Sequence, residues 1–203
     1  SIGCLDGRWK GRPGEVWAVV DVIDPGPMFA NAAGGAPAIE DRWSAAPSEF
    51  DLCLAIGTLD TVNDLPRALQ SIRLSMKPDS LFIGALSGGD TLPRLRTAMH
   101  AADQALGAAT PHVHPRIEAA ALAPLIAACG FVRPVVDIDR VSVTYRSLNR
   151  LVDDLRRMGA TNILESRSRR PLSRAARMAA ARAFESAGED GRTVEAFEIL
   201  HFA

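Results

Sequence analysis

The chain has 203 residues, of which 47% are hydrophobic, and a formal net charge of -1. That length and composition fit one domain, residues 1–203, with a real core, and the near-zero charge excludes a global field that would select nucleic acid or a membrane surface. Cys4, Cys53 and Cys129 are too widely spaced for a zinc or redox pair, no apolar run approaches the ~20 residues needed to span a bilayer, and the polar, Gly-rich start gives no signal peptide, so the expected location is cytoplasmic.

Residues 1–15 carry Gly3, Gly7, Gly11, Pro13 and Gly14, a loop composition. Residues 16–23 are a nearly continuous apolar run with β-branched side chains, which predicts a strand buried on both faces, as in a parallel sheet. It stops at Asp24-Pro25-Gly26-Pro27, and the Ala-, Gly- and Pro-rich stretch 30–48 predicts a loop with one short strand at most. Residues 50–56 predict a second buried strand. Asn63-Asp64-Leu65-Pro66 then opens a helix, with Asp64 as N-cap and Pro66 tolerated in the first turn. Leu65, Leu69, Ile72 and Met76 give its core face at helical spacing.

A turn at 77–80 precedes a third buried strand at 81–86. Helices follow over about 91–106 and 118–129, the second stopped by Gly130. Residues 135–145 alternate apolar and polar side chains, the mark of an antiparallel strand nearer a sheet edge. Two more helices, about 147–158 and 172–187, and a last strand at 194–202 complete the order. Strands alternating with helices predict a doubly wound α/β sheet. Cys53 lies in an apolar run and Cys129 at a helix end, so both are expected in the core of a protein kept reduced.

Charge is unevenly spread. From Arg140 to Arg182 eleven arginines face only Asp153, Asp154 and Glu165. Such an excess can attract an acidic partner, or it can be a set of solvated helix faces. Gly88-Gly89 follows a strand and permits positive φ and close backbone approach, at the edge where open α/β sheets bind ligands. Asp90 can cap the next helix or point into a cleft. His112 sits on a loop stiffened by Pro111 and Pro115, where it can be an acid or base or simply bond to backbone. Tyr145, the only tyrosine, ends a strand beside the basic helix and is read as a substrate-side residue. No catalytic residue is assigned, and no metal site is expected.

These segments resemble a known family. Residues 50–56, Val62-Asn63-Asp64-Leu65-Pro66-Arg67-Ala68-Leu69 and Met76-Lys77-Pro78-Asp79 are similar to the fourth and fifth strand region of class I S-adenosylmethionine methyltransferases. Gly88-Gly89-Asp90-Thr91-Leu92, Pro111-His112-Val113-His114-Pro115 and residues 151–162 resemble one subgroup: the complex I assembly factor described as a protein-arginine hydroxylase, with its bacterial relatives. The biotin-pathway methyltransferase that esterifies a malonyl carrier protein shares part of the pattern.

The resemblance implies a Rossmann-like class I methyltransferase sheet with a helical insertion before its last strands. It also implies S-adenosylmethionine as cofactor, held by a Gly-rich turn (Gly3 and Gly7), by an acidic strand end on the ribose (Asp24) and by Asp41 on the adenine amine. Gly88, Gly89, Asp90, His112 and Tyr145 would then lie on the acceptor side. Residues 3–8 copy the donor turn poorly, so 1–49 reads as a degenerate donor-binding part, with the first strand and helix missing, and 50–203 as the sheet and acceptor part. A missing strand exposes ladder edges, which the early residues or pairing with a second copy in a homodimer would cover, unless the sequence is a fragment of a longer product. Three functions follow: methyl transfer to an unidentified acceptor, hydroxylation of a protein partner by an assembly factor, or binding without catalysis.

Overall fold

A computed structural model describes residues 22–24, 26–32, 34–40, 42–44, 46–164 and 166–203. Strands are β1 (Ile23–Asp24), β2 (Ala36–Pro37), β3 (Phe50–Ile56), β4 (Met76–Ser87), β5 (Val136–Tyr145) and β6 (Thr193–Phe202). Helices are α1 (Pro27–Ala32), α2 (Leu65–Ser75), α3 (Pro93–Leu106), α4 (Ala119–Ala128), α5 (Leu148–Arg157) and α6 (Arg174–Ser186). β1 and β2 form a small parallel pair, and four strands form a sheet in the order β3-β4-β6-β5. The described residues group into two compact units, 22–87 with 117–138 and 200–203, and 88–116 with 139–199.

In the first unit, β3 and β4 pair in parallel, with Cys53 opposite Phe82 and Ala55 opposite Gly84. Their apolar residues alternate, so Cys53, Ala55, Phe82 and Leu86 point into one core with Leu69 and Ile72 of α2 and Leu122 and Ile126 of α4. Leu69 and Ile72 are fully buried, each contributing about 2 kcal/mol of apolar transfer. Gly84 is a fitted position: a Cβ there would stand 2.2 Å from Cζ of Phe202. Phe202 in turn meets the Phe82 ring edge-on at 5.0 Å.

Helix α2 starts as expected, the Asp64 carboxylate accepting from Arg67 N at 3.0 Å. Residues 77–80 are not a free turn. They lie inside β4 as an irregularity, where the register jumps from Phe50 opposite Met76 to Leu52 opposite Leu81 and Asp79 takes a φ of 58°. Burial pushes the Cys53 thiol up to about 12, and Cys129 is buried as well, so both are packing residues. Val135 and Ala203 exchange both backbone hydrogen bonds, at 2.8 and 3.0 Å. Such a reciprocal pair is the antiparallel pattern expected of the late strands.

The second unit has its own core. Leu92, Leu95, Ala98 and Ala102 of the α3 region pack with Leu148, Leu151 and Leu155 of α5 and with Ala176, Ala180 and Phe184 of α6. Alanines at four-residue spacing let the α3 and α6 backbones approach closely. Ser147 and Ser173 begin α5 and α6, each side chain accepting a backbone N–H three residues on. Among the described residues no helix is long and apolar enough to cross a membrane.

Candidate functional site

Ligands of open α/β sheets bind at the carboxyl ends of parallel strands. In the first unit those ends carry carboxylates. Asp24 closes β1, and its Oδ1 accepts from Gly26 N at 2.7 Å. Glu40 follows β2 and is only 3% exposed. Its Oε1 accepts a short hydrogen bond from the Thr58 hydroxyl, just past the end of β3, which joins the two carboxyl ends. Gly57 turns the chain there with a φ of 65°, and Asp60 receives the backbone N–H of Ser87 at the end of β4.

Burial pushes the Glu40 carboxyl above its ordinary value. Hydrogen bonds from Thr58 and from its own backbone act against that rise, and the Asp24 charge adds to it. A carboxyl kept dry beside a second carboxylate at a strand edge is costly to maintain, and such costs collect at binding sites.

Asp24 therefore stands at the strand end where it was expected. Gly3, Gly7, Asp41 and most of the predicted strand 16–23 lie outside the described residues. Glu40, the immediate neighbour of Asp41, was not singled out. Nothing local distinguishes the two, because the partner that orients Glu40 is 18 residues away.

In the second unit the Gly88–Leu92 segment is fastened to β6. Gly88 N and the Thr91 hydroxyl donate to Glu198 O at 2.9 Å each, Glu198 N donates back to the Thr91 hydroxyl at 3.0 Å, and Leu92 N donates to Ala196 O at 2.8 Å. Two expectations change. Neither Gly88 nor Gly89 has positive φ. Gly88 is needed for close approach instead, since a Cβ would meet Glu198 Oε1 at 2.2 Å.

Asp90 does not cap the helix either. It is exposed, with Oδ2 3.7 Å from Arg140 Nη2. The cap comes from 100 residues away: Glu195, fully buried, accepts Arg94 N at 3.1 Å and Leu95 N at 2.8 Å. Arg140 Nη2 also holds Glu198 Oε2 at 2.9 Å, a charge-assisted contact to a buried carboxylate.

His112 belongs to a three-residue cluster. Its Nε2 is 2.7 Å from Asp103 Oδ1 and 2.9 Å from the Thr110 hydroxyl, and Thr110 N donates to Asp103 Oδ2 at 3.3 Å. A carboxylate only accepts, so Nε2 carries the hydrogen, and a neutral ring keeps its lone pair on Nδ1. Burial works against ionisation of Asp103, but hydrogen bonds from His112 and Thr110 outweigh it and hold the carboxyl below its ordinary value.

The same loop is locked to the segment after α5. Asn162 Nδ2 donates to Pro111 O at 2.7 Å, and Ile163 N donates to Nε2 of His114 at 3.0 Å. The end of the 151–162 motif is thus hydrogen-bonded to the 111–115 motif. Tyr145 is 6% exposed, within the second core. Burial raises its phenol, and Asp154 beside it adds to the rise. Among the described residues no group of three His, Cys, Asp or Glu is arranged to hold a metal ion.

The chain is 37% identical over 155 residues to the mouse protein named arginine-hydroxylase NDUFAF5, mitochondrial, an alignment covering 75% of the chain and 45% of that relative. It is 30% identical over 157 residues to the malonyl-[acyl-carrier protein] O-methyltransferase of Xylella fastidiosa, covering 77% of the chain and 52% of that relative. The chain thus spans about half the length of the curated relatives it matches. A solved structure from Bacillus halodurans, described as a candidate methyltransferase, superposes with a TM-score of 0.54 at 8% identity, over 90% of the chain and 80% of that structure. No family model matches.

Proposed function

Since this chain is a class I methyltransferase-fold protein of the group that includes arginine-hydroxylase NDUFAF5 and bacterial methyltransferases, we propose that it binds S-adenosylmethionine at the carboxyl ends of β1–β3 and acts on an unidentified acceptor. The observation that carries this reading is the buried Glu40 carboxyl beside Asp24. The residues fit the donor. Asp24, at the carboxyl end of β1, would take the ribose hydroxyls. Glu40 and Thr58 would shape the adenosine side, and Gly3, Gly7 and Asp41 would complete the set. When bound, the donor supplies an electrophilic methyl on a sulfonium. The chain's contribution is positioning, which alone can supply much of the rate of an in-line transfer. On the acceptor side we assign His112, oriented by Asp103, with Gly88, Gly89, Asp90 and Tyr145.

A thermal-shift titration with S-adenosylhomocysteine tests the donor site. Ligand at 100 times its dissociation constant adds about 2.7 kcal/mol of stability. The shift is expected for the native chain and is lost in Asp24→Ala and Glu40→Gln. No shift at saturating ligand would refute the donor site and leave a binding module of the same fold.

The 37% identity to an arginine hydroxylase favours a second reading, hydroxylation of a protein arginine with dioxygen and a two-electron reductant as co-substrates, the second oxygen leaving as water. Mass spectrometry of an arginine-containing acceptor separates the two, by gain of a methyl group or of an oxygen atom. A protein acceptor, a homodimer and a cytoplasmic location remain part of the proposal.

A further inference from the structure

The second unit carries a cationic surface that neither its fold nor the donor site uses. Between residues 166 and 182 stand Arg167, Arg169, Arg170, Arg174, Arg177 and Arg182, with no Asp, Glu or Lys. Arg169, Arg170, Arg174, Arg177 and Arg182 are exposed. Arg167 is half-buried and anchors the segment by donating to Leu164 O at 3.0 Å.

Helix geometry arranges this set. α6 buries Ala176, Ala180 and Phe184, a stripe at four-residue spacing. The positions offset by two residues, Arg174, Met178 and Arg182, point away from that core, and Met178 is 44% exposed between the two arginines. The first turn of α6 holds no acidic residue, so Arg174 and Arg177 face the positive end of the helix dipole. An external anion would relieve that arrangement.

We propose that residues 167–182 are a docking surface for an acidic, helical segment of a partner protein. Arginine forks pair with carboxylates in two-point geometry. Arg and Met together, with Lys, Asp and Glu absent, is also the composition of protein interfaces. α6 is about 20 Å long, enough to receive about three turns of a partner helix carrying glutamates on one face and an apolar residue to meet Met178. The inference does not rest on the donor reading: it concerns which surface recruits the partner, whatever reaction follows.

The test uses a fluorescent synthetic helix with glutamates at positions i, i+3, i+4 and i+7 around one leucine, followed by anisotropy. The native chain binds it, and binding falls as ionic strength rises. Reversal of four charges (Arg170→Glu, Arg174→Glu, Arg177→Glu, Arg182→Glu) weakens binding by at least about tenfold, one decade being 1.4 kcal/mol. The control Arg67→Glu with Arg133→Glu, in the first unit, leaves binding unchanged. Glutamates in the first turn of a helix favour its dipole, so the reversed variant keeps its fold, checked by circular dichroism. Absence of peptide binding, equal binding by the reversed variant, or binding to phosphatidylglycerol vesicles without binding to the peptide would each overturn the proposal.

Discussion

The strand-end rim of the first unit and the loops of the second unit both carry buried carboxyls, yet the same two forces move them in opposite directions. At Glu40 burial prevails over its hydrogen bonds, and the carboxyl is raised. At Asp103 the hydrogen bonds from His112 and Thr110 prevail over burial, and the carboxyl is lowered. Glu195 and Glu198 are also held by donors, each oxygen engaged by backbone N–H groups or by Arg140. A carboxylate given two or three donors is a joint that holds loops in place. At Glu40 the Thr58 hydroxyl and its own backbone do not offset burial, so its carboxyl stays raised.

The largest expected effect comes from removing a joint. Glu195→Ala leaves the N–H groups of Arg94 and Leu95 without their acceptor and should cost about 3 kcal/mol, read as a drop in urea midpoint. If Glu195→Ala is nearly neutral, the second unit's carboxylates are not joints and the contrast fails. Next, Gly88→Ala forces a Cβ against Glu198 and should cost about 2 kcal/mol. Adding Glu198→Ala should recover part of that loss, and a double-mutant cycle measures how much.

Smaller effects appear in the pH dependence. The Glu40 carboxyl is raised in the folded state, so its contribution to stability is present below its ordinary value of 4.5 and is lost as pH rises through the folded value. Glu40→Gln should therefore stabilise the chain more at pH above that window than below it, while weakening donor binding. Asp103 is lowered, so its contribution is present above its ordinary value of 3.8 and disappears as pH falls through the folded value. Asp103→Asn should flatten the acid limb of the stability profile measured by thermal melts.

The fold was legible wherever local pattern and burial agree. The apolar run 50–56, the Asp64 cap and the alternation of 135–145 each became the expected element, because a strand face or a helix start is set by neighbours in sequence. The turn expected at 77–80 became an irregularity inside β4, since Lys77-Pro78-Asp79 has turn chemistry but the strand continues on either side. At the sites, legibility stopped at residue type. Gly88 was visible as a place for close approach, but the group approaching it, Glu198, lies 110 residues further on. The capping of α3 went to Glu195 and not to Asp90 for the same reason. His112 was marked by its prolines, while its orienter Asp103 sits in the last turn of a helix, where an acidic residue looks like ordinary solvated surface.

The division of the chain also sorts its spectroscopic reporters. Among the described residues, Trp43, Cys53 and Cys129 belong to the first unit, and the lone Tyr145 to the second. Thiol labelling at Cys53 and Cys129 during denaturation thus follows the opening of one half, and phenol absorbance follows the other. The native sequence can therefore report, without engineered reporter residues, whether its halves melt together or in sequence.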